Sequence, residues 1–129
     1  MQDFNDRSGT ALVIGGTGGI GSEICKLLAA RGSDIAFTYQ NNEEKAESLS
    51  NEIENLGVNS LKHSLDLDNQ AEVHNFIQSL GNDRGIHTLI YAAGPVVPQV
   101  HLSNIPPETF SEHLNSEVNA FFGAFIPAL

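Results

Sequence analysis

Four short apolar runs alternate with four segments of helical period, and this order constrains the fold more than any other property of the chain. Ala11-Leu12-Val13-Ile14 has no polar interruption and ends in glycines, as a strand covered on both faces does. Ile20, Ile24, Leu27 and Leu28 then recur at helical spacing, and Gly32 after Arg31 reads as a stop. Ile35-Ala36-Phe37-Thr38-Tyr39 reads as the second strand. Ala46, Leu49, Ile53 and Leu56 give the second helix its apolar stripe, with Asn42 as N-cap, Glu43 and Glu44 in the first turn, and Gly57 as the stop. A third strand is predicted over Ser60 to Leu65. Val73, Phe76, Ile77 and Leu80 predict the third helix, capped by Asp68 or Asn69 and ended by Gly81. Thr88-Leu89-Ile90-Tyr91-Ala92 is the fourth strand. Phe110, Leu114, Val118, Phe121 and Phe125 mark a fourth helix, which Pro106 and Pro107 help to start.

The order βαβαβαβα with short connections predicts an α/β fold: a doubly wound parallel sheet with right-handed crossovers and helices on both faces. Residues 1–129 read as one unit, without repeat or linker. The longest irregular stretch, Gly94 to Ile105 with Pro95 and Pro98, follows the fourth strand. In a parallel sheet that is the edge where ligands bind.

Composition excludes several function classes. Six Lys+Arg against sixteen Asp+Glu give a net charge of −10, which disfavours nucleic acid and anionic membrane surfaces as partners. With 40% hydrophobic and 17% charged residues, disorder is excluded for the chain as a whole. A single cysteine, Cys25, rules out an intrachain disulfide and a multi-cysteine zinc site; its place beside the helical stripe reads as a buried structural thiol. His63, His74, His87, His101 and His113 show no ligand spacing, so no metal site is expected. Met1 to Thr10 is polar, and the apolar tract Val118 to Leu129 falls short of the ~20 residues a membrane span needs. The expected compartment is the cytoplasm.

The first strand runs directly into Gly15-Gly16-Thr17-Gly18-Gly19-Ile20-Gly21 and then a helix. Glycines there let backbone N–H groups approach a pyrophosphate at the positive end of the helix. Three spacings fit: Gly16, Gly18 and Gly21 as G-x-G-x-x-G; Gly15, Gly18 and Gly21 as G-x-x-G-x-x-G; Gly15, Gly19 and Gly21 as G-x-x-x-G-x-G. Gly21 is followed by Ser22 and Glu23, so the lysine of a nucleoside-triphosphate loop is missing. A carboxylate about 20 positions on would hold a ribose 2′-hydroxyl. The second strand ends instead in Tyr39-Gln40-Asn41-Asn42, with Lys45 the nearest cation. NADP(H) is therefore favoured over NAD(H).

These residues resemble the short-chain dehydrogenase/reductase family. The resemblance rests on Gly15-x-x-x-Gly19-Ile20-Gly21, on Asp66-Leu67 after strand three, and on Leu89-Ile90-Tyr91-Ala92-Ala93-Gly94, similar to the family's L-V-N-N-A-G. Ile14 stands where the family has Thr, and Tyr91 and Ala92 replace its two Asn. The resemblance implies a Rossmann-like sheet of strand order 3-2-1-4. It implies pyrophosphate contacts from Gly15, Thr17, Gly18, Gly19, Ile20 and Gly21, and a ribose environment of Tyr39 and Gln40. It further implies adenine contacts from Asp66 and Leu67, and Ala92, Ala93 and Gly94 on the ribose side. Among family members, those reducing 3-oxoacyl thioesters or related ketones are the most similar, through Ala36-Phe37-Thr38-Tyr39.

Aligning Phe110 with the family's Trp puts Glu117, rather than Asn119, at the family's helix-borne Asn. The family's Ser and Tyr-x-x-x-Lys have no counterpart, since the only tyrosines are Tyr39 and Tyr91. The expectation is thus a truncated fold: the cofactor-binding half of a longer oxidoreductase acting on a carbonyl or alcohol, with no catalytic residue of its own and no activity by itself. The resemblance also implies a homo-oligomer paired through the fourth helix. Two alternatives stay open: a non-catalytic dinucleotide-sensing module, and a fragment of an extended-type sugar-nucleotide epimerase or dehydratase.

Overall fold

The computed structural model describes residues 2–94 and 102–129. Four strands, β1 (Thr10–Ile14), β2 (Ile35–Tyr39), β3 (Ser60–Ser64) and β4 (Ile86–Tyr91), form one sheet in the order β3-β2-β1-β4. Every pairing is parallel, with Val13 beside Phe37 on one side and beside Ile90 on the other. The helices are α1 (Gly19–Ala30), α2 (Glu43–Asn55), α3 (Gln70–Asp83) and α4 (Pro107–Ala128), with a 3-10 turn at Leu102–Asn104. The predicted α/β sandwich and its strand order are both present. Of the irregular stretch after the fourth strand, residues 95–101 lie outside the described residues, and so do Pro95, Pro98 and His101.

The unbroken apolar run of β1 is explained by its central place. Alternate residues face opposite layers. Ala11 and Val13 join Ile35 and Phe37 under α1 and α2, packing on Cys25, Ala29, Ala46, Leu49 and Ile53. Leu12, Ile14 and Ala36 face the other way, onto Val73, Ile77 and Leu80 of α3 and Ala124 of α4. At β3, an edge strand, Lys62 pairs with Glu47 of α2 at 2.8 Å and His63 stacks on Phe76 of α3 with ring centroids 4.2 Å apart. Those two contacts explain how the polar residues fit a strand.

Caps follow local chemistry. Asn42 Oδ1 accepts from the Lys45 N–H at 3.0 Å, and Asn69, not Asp68, caps α3 by accepting from the Glu72 N–H at 3.2 Å. The Asp68 carboxylate is turned to α4 instead, where its Oδ1 accepts from Ser116 Oγ at 3.2 Å.

Four expectations are corrected. The α1 residues that meet the sheet are Gly21, Cys25 and Ala29, whereas Ile20 and Leu27 are 75% and 62% exposed. Small residues face the strands at the closest approach of the helix, Ile24 and Leu28 pack partly buried beside them, and only Ile20 and Leu27 of the stripe turn to solvent. Leu56 of the α2 stripe is likewise exposed. The third helix runs through Gly81 to Asp83; the chain leaves it at Gly85, which adopts φ +80° where Gly81 does not take a positive φ. In α4 the buried residues are Ala120 and Ala124, while Phe110, Leu114, Val118, Phe121 and Phe125 are exposed. That stripe is apolar without being core.

Candidate functional site

All four strands point their carboxyl ends at one edge, and the glycine turn lies there. Gly15 leaves β1 with φ +83°, and a Cβ on it would stand 2.6 Å from the Ala93 backbone nitrogen, so only glycine fits between the ends of β1 and β4. The Gly15 N–H donates to Thr38 Oγ1 at 3.1 Å, and the Gly16 N–H to the Thr38 carbonyl at 2.8 Å. The Ala92 N–H donates to the Ile14 carbonyl at 2.8 Å. The turn is thereby bonded to both neighbouring strands.

Gly18 is the N-cap of α1 and brings no side chain to its first-turn N–H groups, and no acidic residue stands in that turn. Those N–H groups have no partner within the helix, and the dipole adds to their pull on an anion. Around Gly19 a Cβ would meet nothing within 4 Å, so a ligand's backbone approach is unobstructed. At Gly21 a Cβ would collide with the Gly15 carbonyl oxygen, which seats the first turn against the loop.

A cleft of about 220 Å³ opens beside this turn. Of the residues named from sequence it is lined by Gly15, Thr17, Gly18, Tyr39, Gln40, Leu67, Ala92, Ala93 and Gly94. Gly19, Ile20 and Gly21 are not in its wall, and the Ile20 side chain points into a separate open recess on the surface of α1 and α2. Asp66 lies on an adjoining cleft of about 270 Å³ that shares Gln40, Leu67, Ala93 and Gly94. Thr38 and Leu65 also line the first cleft and were not foreseen. Thr38 carried a signal: a single hydroxyl inside an otherwise apolar strand needs a partner, and the glycine turn is that partner.

The adjoining cleft adds Asp68, Tyr91, Ser116, Glu117 and Ala120. Ser116 Oγ donates to Asp68 Oδ1 at 3.2 Å, tying α4 to the start of α3. Burial, with Glu117 and Asp68 nearby, pushes the Tyr91 hydroxyl above its usual 10.0, so it stays protonated. Its ring meets Phe121 edge-on with centroids 5.4 Å apart. Glu117 is half-buried in this cleft, whereas Asn119, two residues on, is exposed outside it.

A third cleft of about 240 Å³ lies on the α1–α2 side of the turn, among Thr17, Gly19, Ser22, Lys26, Lys45 and Ser48. Lys26 is held by Glu23 at 2.8 Å and Glu52 at 3.5 Å. Lys45 makes no ion pair among the described residues. Among those residues no cluster of His, Cys, Asp and Glu is placed to hold a metal, and no helix is long and apolar enough to cross a membrane.

Comparison with known proteins fits this geometry. The profile of the short chain dehydrogenase family matches residues 9–126. Sorbose reductase sou1 of Schizosaccharomyces pombe is 25% identical over 123 residues, which is 92% of this chain and 48% of that protein. The 3-oxoacyl-(acyl-carrier-protein) reductase FabG of Staphylococcus aureus is 34% identical over 86 residues, 66% of this chain and 35% of that protein. The crystal structure of a short chain dehydrogenase from Burkholderia cenocepacia J2315 in complex with NADP superposes with a TM-score of 0.83 at 30% identity, covering 96% of this chain and 51% of that one. The chain spans about half the length of that structure and less than half of the two curated relatives. With the glycine turn, the strand order and the profile match in agreement, the chain belongs to the short-chain dehydrogenase family of oxidoreductases, which bind a nicotinamide cofactor.

Proposed function

We propose that these 129 residues are the dinucleotide-binding half of an NADP(H)-dependent carbonyl reductase or alcohol dehydrogenase of 3-oxoacyl reductase type. The observation that carries this reading is the uncapped first turn of α1, set beside a cleft whose wall is largely backbone and small side chains. Such a cradle suits a pyrophosphate, because N–H groups bind it without side-chain charge and an acidic chain has little to spare. When bound, the nicotinamide would supply or accept the hydride exchanged with a ketone or alcohol.

The chain's own residues would hold and orient it. Gly19 and Ile20 offer N–H groups to the pyrophosphate, with the Thr17 hydroxyl beside them, while the Gly18 N–H closes the turn onto the Gly15 carbonyl at 3.4 Å. Gly15 and Gly21 keep the turn tight enough to present these groups. Asp66 already accepts from the Asp68 N–H through Oδ1, and its Oδ2 is left to accept a hydrogen bond donated by the amino group of adenine, with Leu65 and Leu67 against the ring. Tyr39 and Gln40 border the ribose, while Ala92, Ala93 and Gly94 close the opposite wall. The unpaired Lys45, with Thr17, Ser22 and Ser48 around the third cleft, favours a 2′-phosphate over a free 2′-hydroxyl. The exposed aromatic stripe of α4 would pair with a second copy. A cytoplasmic enzyme is the setting this reading implies.

Calorimetric titration of the chain with NADPH and NADH tests it. Tighter binding of NADPH is expected; tighter binding of NADH would overturn the cofactor assignment, and binding of neither would overturn the site.

A further inference from the structure

A second cluster lies at the opposite end of the sheet, where the strands begin. The Phe4 N–H donates to the Arg31 carbonyl at 3.1 Å, and Arg31 Nε donates to Asp3 Oδ1 at 2.8 Å, with a further guanidinium N–H to Asp3 Oδ2. Phe4 is the hub. The guanidinium carbons of Arg7 and Arg31 lie 4.4 Å and 5.4 Å from its ring centroid, and the His87 ring is 5.8 Å away, tilted by 34°. The residues before β1 thus grip both the carboxyl end of α1 and the start of β4.

His87 is hydrogen-bonded on both nitrogens. Nε2 lies 3.3 Å from Ser33 Oγ, and Nδ1 lies 2.9 Å from Thr88 Oγ1. The Ser33 hydroxyl already donates to the Asp34 carbonyl at 2.9 Å, so it has only a lone pair to offer the ring. Nε2 therefore carries the hydrogen, and Nδ1 accepts from the Thr88 hydroxyl. The arrangement is complete with a neutral imidazole. A proton on Nδ1 removes that acceptor and sets a third positive charge beside a ring that Arg7 and Arg31 already flank.

We propose that residues 2–8 form a latch on the sheet that is closed while His87 is neutral and released when His87 takes up a proton. The groups facing His87 agree. Burial, then Arg7 on the latch, lower its affinity for a proton below the usual 6.5, and Asp34 in the turn before β2 opposes them more weakly. A proton that binds the closed state less readily than the open one favours opening. The latch is therefore closed above pH 6.5 and weakens as pH falls below that value. Asp3 lies in a separate window: Arg31 holds its carboxyl below 3.8, so Asp3 stays ionised throughout the histidine transition and adds no proton uptake of its own there. The latch also bears on the candidate site, because Arg31 ends the helix whose other end forms the proposed pyrophosphate cradle.

Amide hydrogen exchange of Phe4, followed by NMR from about pH 7.5 to about 5, reads the latch directly. Protection is expected to fall by up to about tenfold per pH unit, the slope of a single proton, with a midpoint below 6.5. His87→Gln should remove that fall, and Phe4→Ala should bring the His87 NMR titration up towards 6.5. The second variant keeps the test decisive if His87→Gln undocks the segment at every pH. Flat protection of Phe4 in the wild-type chain would overturn the proposal. So would an unchanged His87 titration in Phe4→Ala, or an unchanged midpoint in His87→Gln.

Discussion

Gly21 sits so tightly under Gly15 that a Cβ on it would collide with the Gly15 carbonyl oxygen. Two residues earlier, Gly19 has open space where its side chain would be. Glycines of one motif thus do different things: Gly21 lets the helix seat against the loop, while Gly19 keeps the approach to the helix end clear. Substitutions at the two should separate folding from binding.

Gly21→Ala should destabilise the chain by at least about 1–3 kcal/mol, the usual cost of overpacking where the neighbour is backbone and cannot step aside. Denaturant unfolding measures it. Gly19→Val should leave unfolding within about 0.5 kcal/mol of the parent, as an exposed substitution does, yet abolish NADPH binding in calorimetry. Retained NADPH affinity in a folded Gly19→Val chain would falsify the role of the glycine turn.

Lys45→Ala removes the one cation of the third cleft that is not already neutralised. If it meets a 2′-phosphate, NADPH should bind about tenfold more weakly and NADH as before, since a hydrogen bond to a charged group is worth about 1.5–3 kcal/mol. Equal losses for both cofactors would place Lys45 away from the ribose.

Cys25 is fully buried, and burial pushes its thiol from 9.0 up to about 12. A thiol reagent at about pH 8 should leave the native chain unmodified and label it only on unfolding. Because the folded chain holds this proton more tightly than the unfolded one, stability from this group is intact below pH 9 and declines from there towards 12. Thermal melts across alkaline pH, with Cys25→Ala as the comparison, report the difference. A Cys25→Ala profile as steep as the parent's would assign the alkaline loss to other groups.

Asn42→Ala should cost about 1 kcal/mol, because the Lys45 N–H at the start of α2 loses its acceptor. The melting temperature should fall accordingly, and Asn42→Asp should restore most of it. A melting temperature unchanged in Asn42→Ala would mean that water serves the α2 terminus equally well.

Local chemistry decided what could be read from the sequence alone. The β2 boundaries, the end of β1, the Asn42 cap and the glycine turn follow from residues within a few positions of one another, where a strand's two-residue period or a cap's reach is enough; the start of β1 lies one residue earlier, at Thr10. The parallel order followed too, because alternating strands and helices with short connections leave few ways to wind. Phase around α1 and α4 was different. Ile20 and Leu27 are large and apolar, yet the sheet takes Gly21, Cys25 and Ala29, because interaxial distance favours small residues at the closest approach. Spacing records that residues share a face and not how near another element comes. Nor could spacing bring Thr38 to Gly15, Ser116 to Asp68, or Phe4 to His87, which lie 23, 48 and 83 positions apart. Those pairings exist only once the sheet has closed, since packing of the whole chain is what brings such distant residues within bonding distance.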